Sequence, residues 1–437
     1  MLSNITYKTL FLLGILAVPL SCDSDSSDTQ KYADAYSSEV VVKWLDLQLQ
    51  MLRVPLAAGT GTQASERAQA YCGITLYESI VQGMPTHKSL YGQLTDFPTM
   101  PTIQIGNNYH WAAVANATLA DMNRKLFPTT SDANKNSIDS LENSLLDSYS
   151  VEADAETIER SIAFGKEVSS AVYAWAVTDG SANTNPPYIP SGAPGTWVST
   201  PPNFPNPVNP YASQRRLLVL SNASATTIEP PPPYSATPGS PFYNMAKEVF
   251  DKSQSLTTEQ TAMAIYHRDA PGYPGGGHFV AVLSQVLSKA IPKLDVAAVA
   301  YAKCGIAQSD ATMICFTHKY SYNLVRPITY IRNELGHPSW SALFNTPGHP
   351  EFPAAHAVVS AAIAETLTSV FGDNFQFTLS TYDYLGLPAR NYSSFKEMAK
   401  EMADSRVYGG IHYQASCDKG RMLGEQISKN ILNSVEF

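Results

Sequence analysis

Cysteine is scarce in this chain: five among 437 residues, at 22, 72, 304, 315 and 417, with no CxxC pair. That excludes a disulfide scaffold and the common zinc-ribbon spacings. Positive charge is in deficit, 29 Lys and Arg against 38 Asp and Glu, for a net charge of −9. This balance argues against a nucleic-acid partner, which needs a basic face, and leaves room for a local cationic pocket. The N-terminal apolar run, 9–20, has twelve residues, too few to span a bilayer, which takes about 20. HExxH, GxSxG and P-loop motifs are missing, and so is any credible series of alternating strands.

What is present starts with a targeting signal. Lys8 is the only charge before the apolar run, and Ser21-Cys22 follow it. Residues 1–21 read as a secretory signal, and Cys22 as the lipidation site of a bacterial lipoprotein. The acidic stretch after it cannot fold alone and reads as a tether over 22–37. The expectation is an extracytoplasmic protein of the outer membrane, surface-exposed or not, touching the membrane only through its lipid. With 44% hydrophobic and 15% charged residues, the remainder is a folded globule.

Helical periodicity dominates that globule. Ile158, Ile162, Gly165, Val168, Val172 and Trp175 form one stripe, and Val359, Ile363, Leu367 and Val370 another that stops at Gly372. Ser394 and Glu397 have capping-box spacing, and Asp295 is a candidate cap for a long helix reaching about Lys319. Fifteen of the thirty prolines lie between 186 and 241, which excludes helix over most of that stretch. The fold class expected is therefore all-α: a helical bundle over 38–185, a proline-rich crossover over 186–245 and a second bundle over 246–437. Trp197 and Phe204 of the crossover are candidates for lining a pocket mouth.

Five of the nine histidines fall between 318 and 412, a region that holds three notable segments. The first runs from Lys319 to Arg326-Pro327, where the proline forces Arg326 out of helical geometry. The second is His349-Pro-Glu-Phe-Pro353-Ala354-Ala355-His356, which opens the Val359 helix and so exposes its free N–H groups and positive dipole end. The third is Ser405-Arg406 through Gly409-Gly410 to His412. Three cations (Lys319, Arg326, Arg406), a helix N-terminus and two imidazoles suit a small tetrahedral oxyanion. A zinc reading of His318, His337, His349 and His356 fits no known spacing.

The pattern Lys-x6-Arg-Pro, Pro-x-x-His, Ser-Arg-x5-His resembles the superfamily of vanadium-dependent haloperoxidases and type 2 phosphatidic acid phosphatases, over about 40–430. The resemblance implies two helical bundles with the site in the second. It implies that Lys319, Arg326, Arg406 and the N–H of Ala355 bind vanadate or phosphate oxygens, and that His356 is the acid–base. His412 would be the axial vanadium ligand, or the nucleophile of a phosphatase. It implies hydrogen peroxide and halide, or a small phosphate ester, as partners. Ala354 stands where the family usually has serine. Ser416 stands where it commonly has aspartate, leaving Asp404 or Asp418 as candidate carboxylates for His412. A surface lipoprotein that binds a glycan or a protein without catalysis is the reading from another class.

Overall fold

The computed structural model describes Met1 and residues 31–53, 63–268 and 277–437. The rest of the expected signal sequence and Cys22 lie outside the described residues. Lys31–Phe437 forms one compact unit.

The helices are α1 (Glu39–Arg53), α2 (Gln63–Ile80), α3 (Trp111–Leu126), α4 (Asp132–Tyr149), α5 (Ala155–Ala176), α6 (Asn222–Ala225), α7 (Pro241–Ser253), α8 (Thr258–Tyr266), α9 (Gly277–Ala290), α10 (Leu294–Tyr322), α11 (Pro327–Asn333), α12 (Ala355–Phe371), α13 (Phe395–Tyr408) and α14 (Gln414–Ser434). The all-α expectation holds. The one regular addition among the described residues is a small antiparallel pair, β1 (Phe377–Leu379) and β2 (Arg390–Tyr392), with Phe377 opposite Tyr392. Three residues per strand are too few for the alternation to stand out in the sequence.

Helix starts follow side-chain chemistry. Ser131, Asp154, Ser240 and Thr257 each cap a helix by accepting a backbone N–H three residues on. Ser394 caps α13 in the same way, but the Glu397 carboxylate takes the N–H of Ser393, so only half of the expected box forms. Helix α10 begins one residue before Asp295, which sits in its first turn rather than at its cap.

Helices α10 and α2 cross closely enough that a Cβ on Gly305 would lie 2.7 Å from Ala70 Cα. One hydrophobic core runs through α1, α2, α3, α5, α9, α10, α12 and α14. A second, smaller core joins α7 and α11 to the starts of α12 and α14 and the end of α13. Burying each large apolar side chain there contributes roughly 1.5–3 kcal/mol.

The crossover carries only the single turn of α6 and a 3₁₀ turn before α7, as its prolines require. Trp197 is fully buried, near the rings of Tyr188 and Tyr320, while Phe204 faces solvent. The crossover residue at the cavity wall is instead Val208. Its N–H donates to Gly348 and its carbonyl accepts from the Tyr320 hydroxyl. The crossover also pairs with the chain leaving α10: Trp197 N–H donates to Asn323 O at 2.8 Å, and Val325 N–H to Gly195 O at 2.9 Å. It thereby fixes the segment that delivers Arg326.

Candidate active site

Helix α10 ends at Asn323, in the left-handed region with φ of 47°. Leu324 and Val325 follow as the segment held by the crossover, and Arg326 is extended (φ −77°, ψ 152°) just ahead of Pro327, as the proline demands. Lys319 and Arg326 thus reach the site from a helix and from an extended strap, not from one helical face.

Both cations are fully buried. The Lys319 ammonium donates to the carbonyls of Pro350 (2.9 Å), Glu351 (3.0 Å) and Pro353, and so shapes the loop that precedes α12. Arg326 donates through Nε to His349 O (2.9 Å), through Nη1 to Ile411 O (2.8 Å) and to His412 Nε2 (3.1 Å), and through Nη2 to His349 Nδ1 (2.8 Å). Burial lowers the lysine to about 7 and the arginine to about 10. Carbonyl partners offset part of the cost of burying such charges.

Arg406 enters from the last turn of α13. Its guanidinium donates to His267 O and lies 5.3 Å from the centre of the Phe344 ring. His267 is held in turn by Glu401 (2.9 Å) and Tyr392 (3.2 Å), and Glu401 by Arg390. The chain turns after α13 at Gly409-Gly410. Gly410 has φ of +75°, which a side chain would strain, and a Cβ on Gly409 would strike the Phe344 ring.

That turn presents His412, whose Nδ1 lies 2.8 Å from Glu351 Oε1. The same oxygen accepts the N–H of Tyr413 at 2.9 Å, and Oε2 accepts the Ser416 hydroxyl at 2.7 Å. Glu351 is therefore the carboxylate partner of His412. Asp404 pairs with Lys400, and Asp418 accepts from Gln414. Ser416 works one step back. Its hydroxyl holds the carboxylate, and its carbonyl accepts the N–H of Ala354 at 3.2 Å.

Burial, then the Arg326 and Lys319 charges, hold His412 well below the usual imidazole range; burial, then Lys319 and Arg326, do the same to His349. Both rings are thus neutral near pH 7. With Nδ1–H assigned to Glu351, His412 keeps its lone pair at Nε2, toward Arg326. His349 Nδ1 lies 2.8 Å from Arg326 Nη2 and 3.2 Å from Pro350 O; with Nδ1 assigned as the acceptor from the guanidinium, its proton is on Nε2. Burial raises the Glu351 carboxyl, while Ser416, Arg326 and Tyr413 pull it back.

A cavity of about 140 Å³ lies against this cradle, lined there by His349, Ala355, His356 and His412. Ala355 opens α12, and the N-cap, Ala354, has no side chain to occupy the first N–H groups. Arg406 is close enough to act electrostatically on His412, and His356 on His349. Lys319, Arg326, Ala355, His356, Arg406 and His412 thus gather in one region. Glu351 and His349 join them without having been assigned a role from sequence. Their only signal was membership of the His349-Pro-Glu351 segment. Among the described residues no group of three or more His, Cys, Asp and Glu is placed to hold a metal ion. None of their helices is long and apolar enough to cross a membrane.

The family described as the VCPO second helical-bundle domain matches residues 300–437. A crystal structure described as the first bacterial vanadium-dependent iodoperoxidase is 28% identical, with a TM-score of 0.83 over 92% of this chain and 97% of that one. The apo form of a bacterial vanadium-dependent chloroperoxidase, 16% identical, aligns at TM-score 0.66 over 87% of this chain and 95% of its own. The holo form, 15% identical, aligns at 0.62 over 87% and 93%; these two show the shared fold alone. No curated protein sequence matches significantly. The match over the second bundle and the likeness of the whole fold support placing the chain in the superfamily of the vanadium-dependent haloperoxidases.

Proposed function

We propose that the chain is a vanadium-dependent haloperoxidase that oxidises halide with hydrogen peroxide. The observation carrying this reading is the His412 imidazole: neutral, fixed by Glu351 at Nδ1, and offering Nε2 beside Arg326 at the cavity. That donor set fits a tetraoxo anion. His412 would hold vanadate through Nε2. Arg326, Arg406 and Lys319 would balance its charge, and the N–H of Ala355 would meet one oxygen. Vanadate, when bound, supplies Lewis-acid activation of peroxide. Glu351 keeps the proton of His412 on Nδ1 and raises the basicity of Nε2. His356, in the first turn of α12, takes a proton from incoming peroxide and returns it to the leaving oxygen. Burial of the cations strengthens their hold on the anion, because little water screens them.

The test is calorimetric titration with orthovanadate, followed by iodide and bromide oxidation with peroxide. One equivalent bound and halide oxidised is the expected result. His412→Ala should abolish both, and His356→Ala should slow oxidation far more than it weakens binding. Hydrolysis of p-nitrophenyl phosphate without vanadium, lost in His412→Ala, would instead favour the phosphatase reading. Binding of neither oxyanion would overturn both. We also read the chain as an extracytoplasmic lipoprotein anchored at Cys22; palmitate labelling that survives Cys22→Ser would refute that.

A further inference from the structure

A second cavity, of about 610 Å³, opens between the turn that follows α5 and residues 213–216 of the crossover. Thr178, Asp179, Asn183, Ser213, Gln214 and Arg215 line it, and it shares no lining residue with the cavity at His412. Its size falls in the range of about 300–1,000 Å³ usual for small-molecule sites. The two walls are fixed to each other. Arg216 N–H donates to Asp179 O at 3.0 Å, and Gly180, with φ of +83°, lies so near that a Cβ there would stand 2.8 Å from Gln214 O.

Three arginines meet here, and two of them are engaged. Arg67 donates through Nε to Asp179 (2.7 Å) and through Nη2 to Ala176 O (3.1 Å). Arg216 lies over the Trp175 ring at 4.2 Å and donates to Thr178 Oγ1 (2.8 Å) and Trp175 O (2.7 Å). Both thereby close the last carbonyls of α5, a structural task. Arg215 does no such work. Among the described residues its guanidinium has no hydrogen bond and no ion pair, although it is half-buried and burial lowers its pKa against the pull of Asp179. The Nε of Arg216, next in the chain, is buried and also lacks a partner. A half-buried cation with five idle N–H groups is unfavourable until an acceptor meets it. The surroundings define that acceptor. Three guanidinium groups against the carboxylates of Asp96 and Asp179 leave a single net positive charge, which suits a monoanion better than a phosphate dianion. A planar carboxylate matches the guanidinium fork. Asn183, Ser213 and Gln214 add exposed, neutral side chains with no protein partner, which suit a body rich in hydroxyls.

We propose that this cavity is a binding site for a sugar acid, a polyhydroxylated monocarboxylate whose carboxylate pairs with the Arg215 guanidinium. The ligand's hydroxyls exchange hydrogen bonds with Asn183, Ser213 and Gln214. The site stands apart from the chemistry at His412 and adds a recognition function to the chain.

Calorimetric titration of the protein with glucuronate tests this, with glucose as the neutral counterpart and inorganic sulfate as an anion without the hydroxyl-bearing ring. Saturable 1:1 binding of glucuronate, about tenfold or more tighter than either, is expected. Arg215→Gln should remove that preference and leave the melting temperature and vanadate affinity unchanged, because Arg215 has no partner in the fold to lose. Arg215→Lys should retain part of it, since it keeps the charge without the fork. Glucuronate binding no tighter than glucose, sulfate binding as tightly as glucuronate, or an unchanged preference in Arg215→Gln would overturn the site. So would a large fall in the melting temperature of Arg215→Gln, which would assign the arginine to the fold. Vanadate binding without glucuronate binding sinks this inference alone, whereas the reverse result sinks the haloperoxidase reading and keeps the site.

Discussion

Asp310 and Glu351 are both carboxylates sealed from solvent, and their surroundings differ. Asp310, on α10, accepts the N–H groups of Leu218 and Val219 and the amide of Asn222, all neutral donors from the crossover. Glu351 accepts from His412, Tyr413 and Ser416 with the buried charges of Lys319 and Arg326 close by. The first staples a proline-rich segment to the core. The second orients an imidazole whose other nitrogen faces a cavity. Burial alone does not mark a functional carboxylate; what its partners do next decides that.

That contrast can be broken by substitution. Asp310→Ala should have the largest effect on stability, about 3–5 kcal/mol in urea unfolding, since three buried donors lose their acceptor at about 1–3 kcal/mol each. Vanadate affinity should change far less than stability. Glu351→Gln should do the reverse: orthovanadate binding falls about 10–100-fold in calorimetry, with a modest change in melting. Equal effects of the two variants on anion binding would erase the distinction. Ser416→Ala removes only the carboxylate's own support and should weaken vanadate binding by less than Glu351→Gln does.

A pH series sharpens the comparison. Burial raises Asp310 from an ordinary 3.8 to about 6 in the folded protein. The native state therefore holds this proton more tightly than the unfolded chain does. The stabilisation is complete below about pH 4 and is lost as pH rises through 6. The unfolding midpoint of wild type relative to Asp310→Asn should fall across that window and level off above it. A flat difference would mean that the crossover's donors fully compensate the burial.

The smallest effect expected is that of Ala354→Ser. Position 354 is the buried N-cap of α12, so a serine hydroxyl would accept a first-turn N–H, adding about 0.5–2 kcal/mol of stability. If it instead reached a bound oxyanion, turnover would rise with little change in melting temperature.

Much of the fold was legible because helical stripes, caps and proline clusters are local. The Val359 stripe, its stop at Gly372 and the scarcity of helix in the crossover all follow from near neighbours in sequence. The partner of His412 was not, because spacing from the histidine pointed to Ser416, Asp404 and Asp418. Glu351 lies 61 residues away in the chain, and only the path of the loop before α12 brings it to the ring. Trp197 and Phe204 look alike as aromatics near prolines, yet one packs inside and the other faces water.

The sequence by itself determined the helices, the cation-and-imidazole inventory and the proline that turns Arg326 out of a helix, since each depends on residue type and short-range sterics. The tertiary structure decided which carboxylate meets His412, which carbonyls hold Lys319, and that Arg215 is left without a partner at a second cavity. These depend on long-range packing, in which a displacement of an ångström or two makes or removes a hydrogen bond.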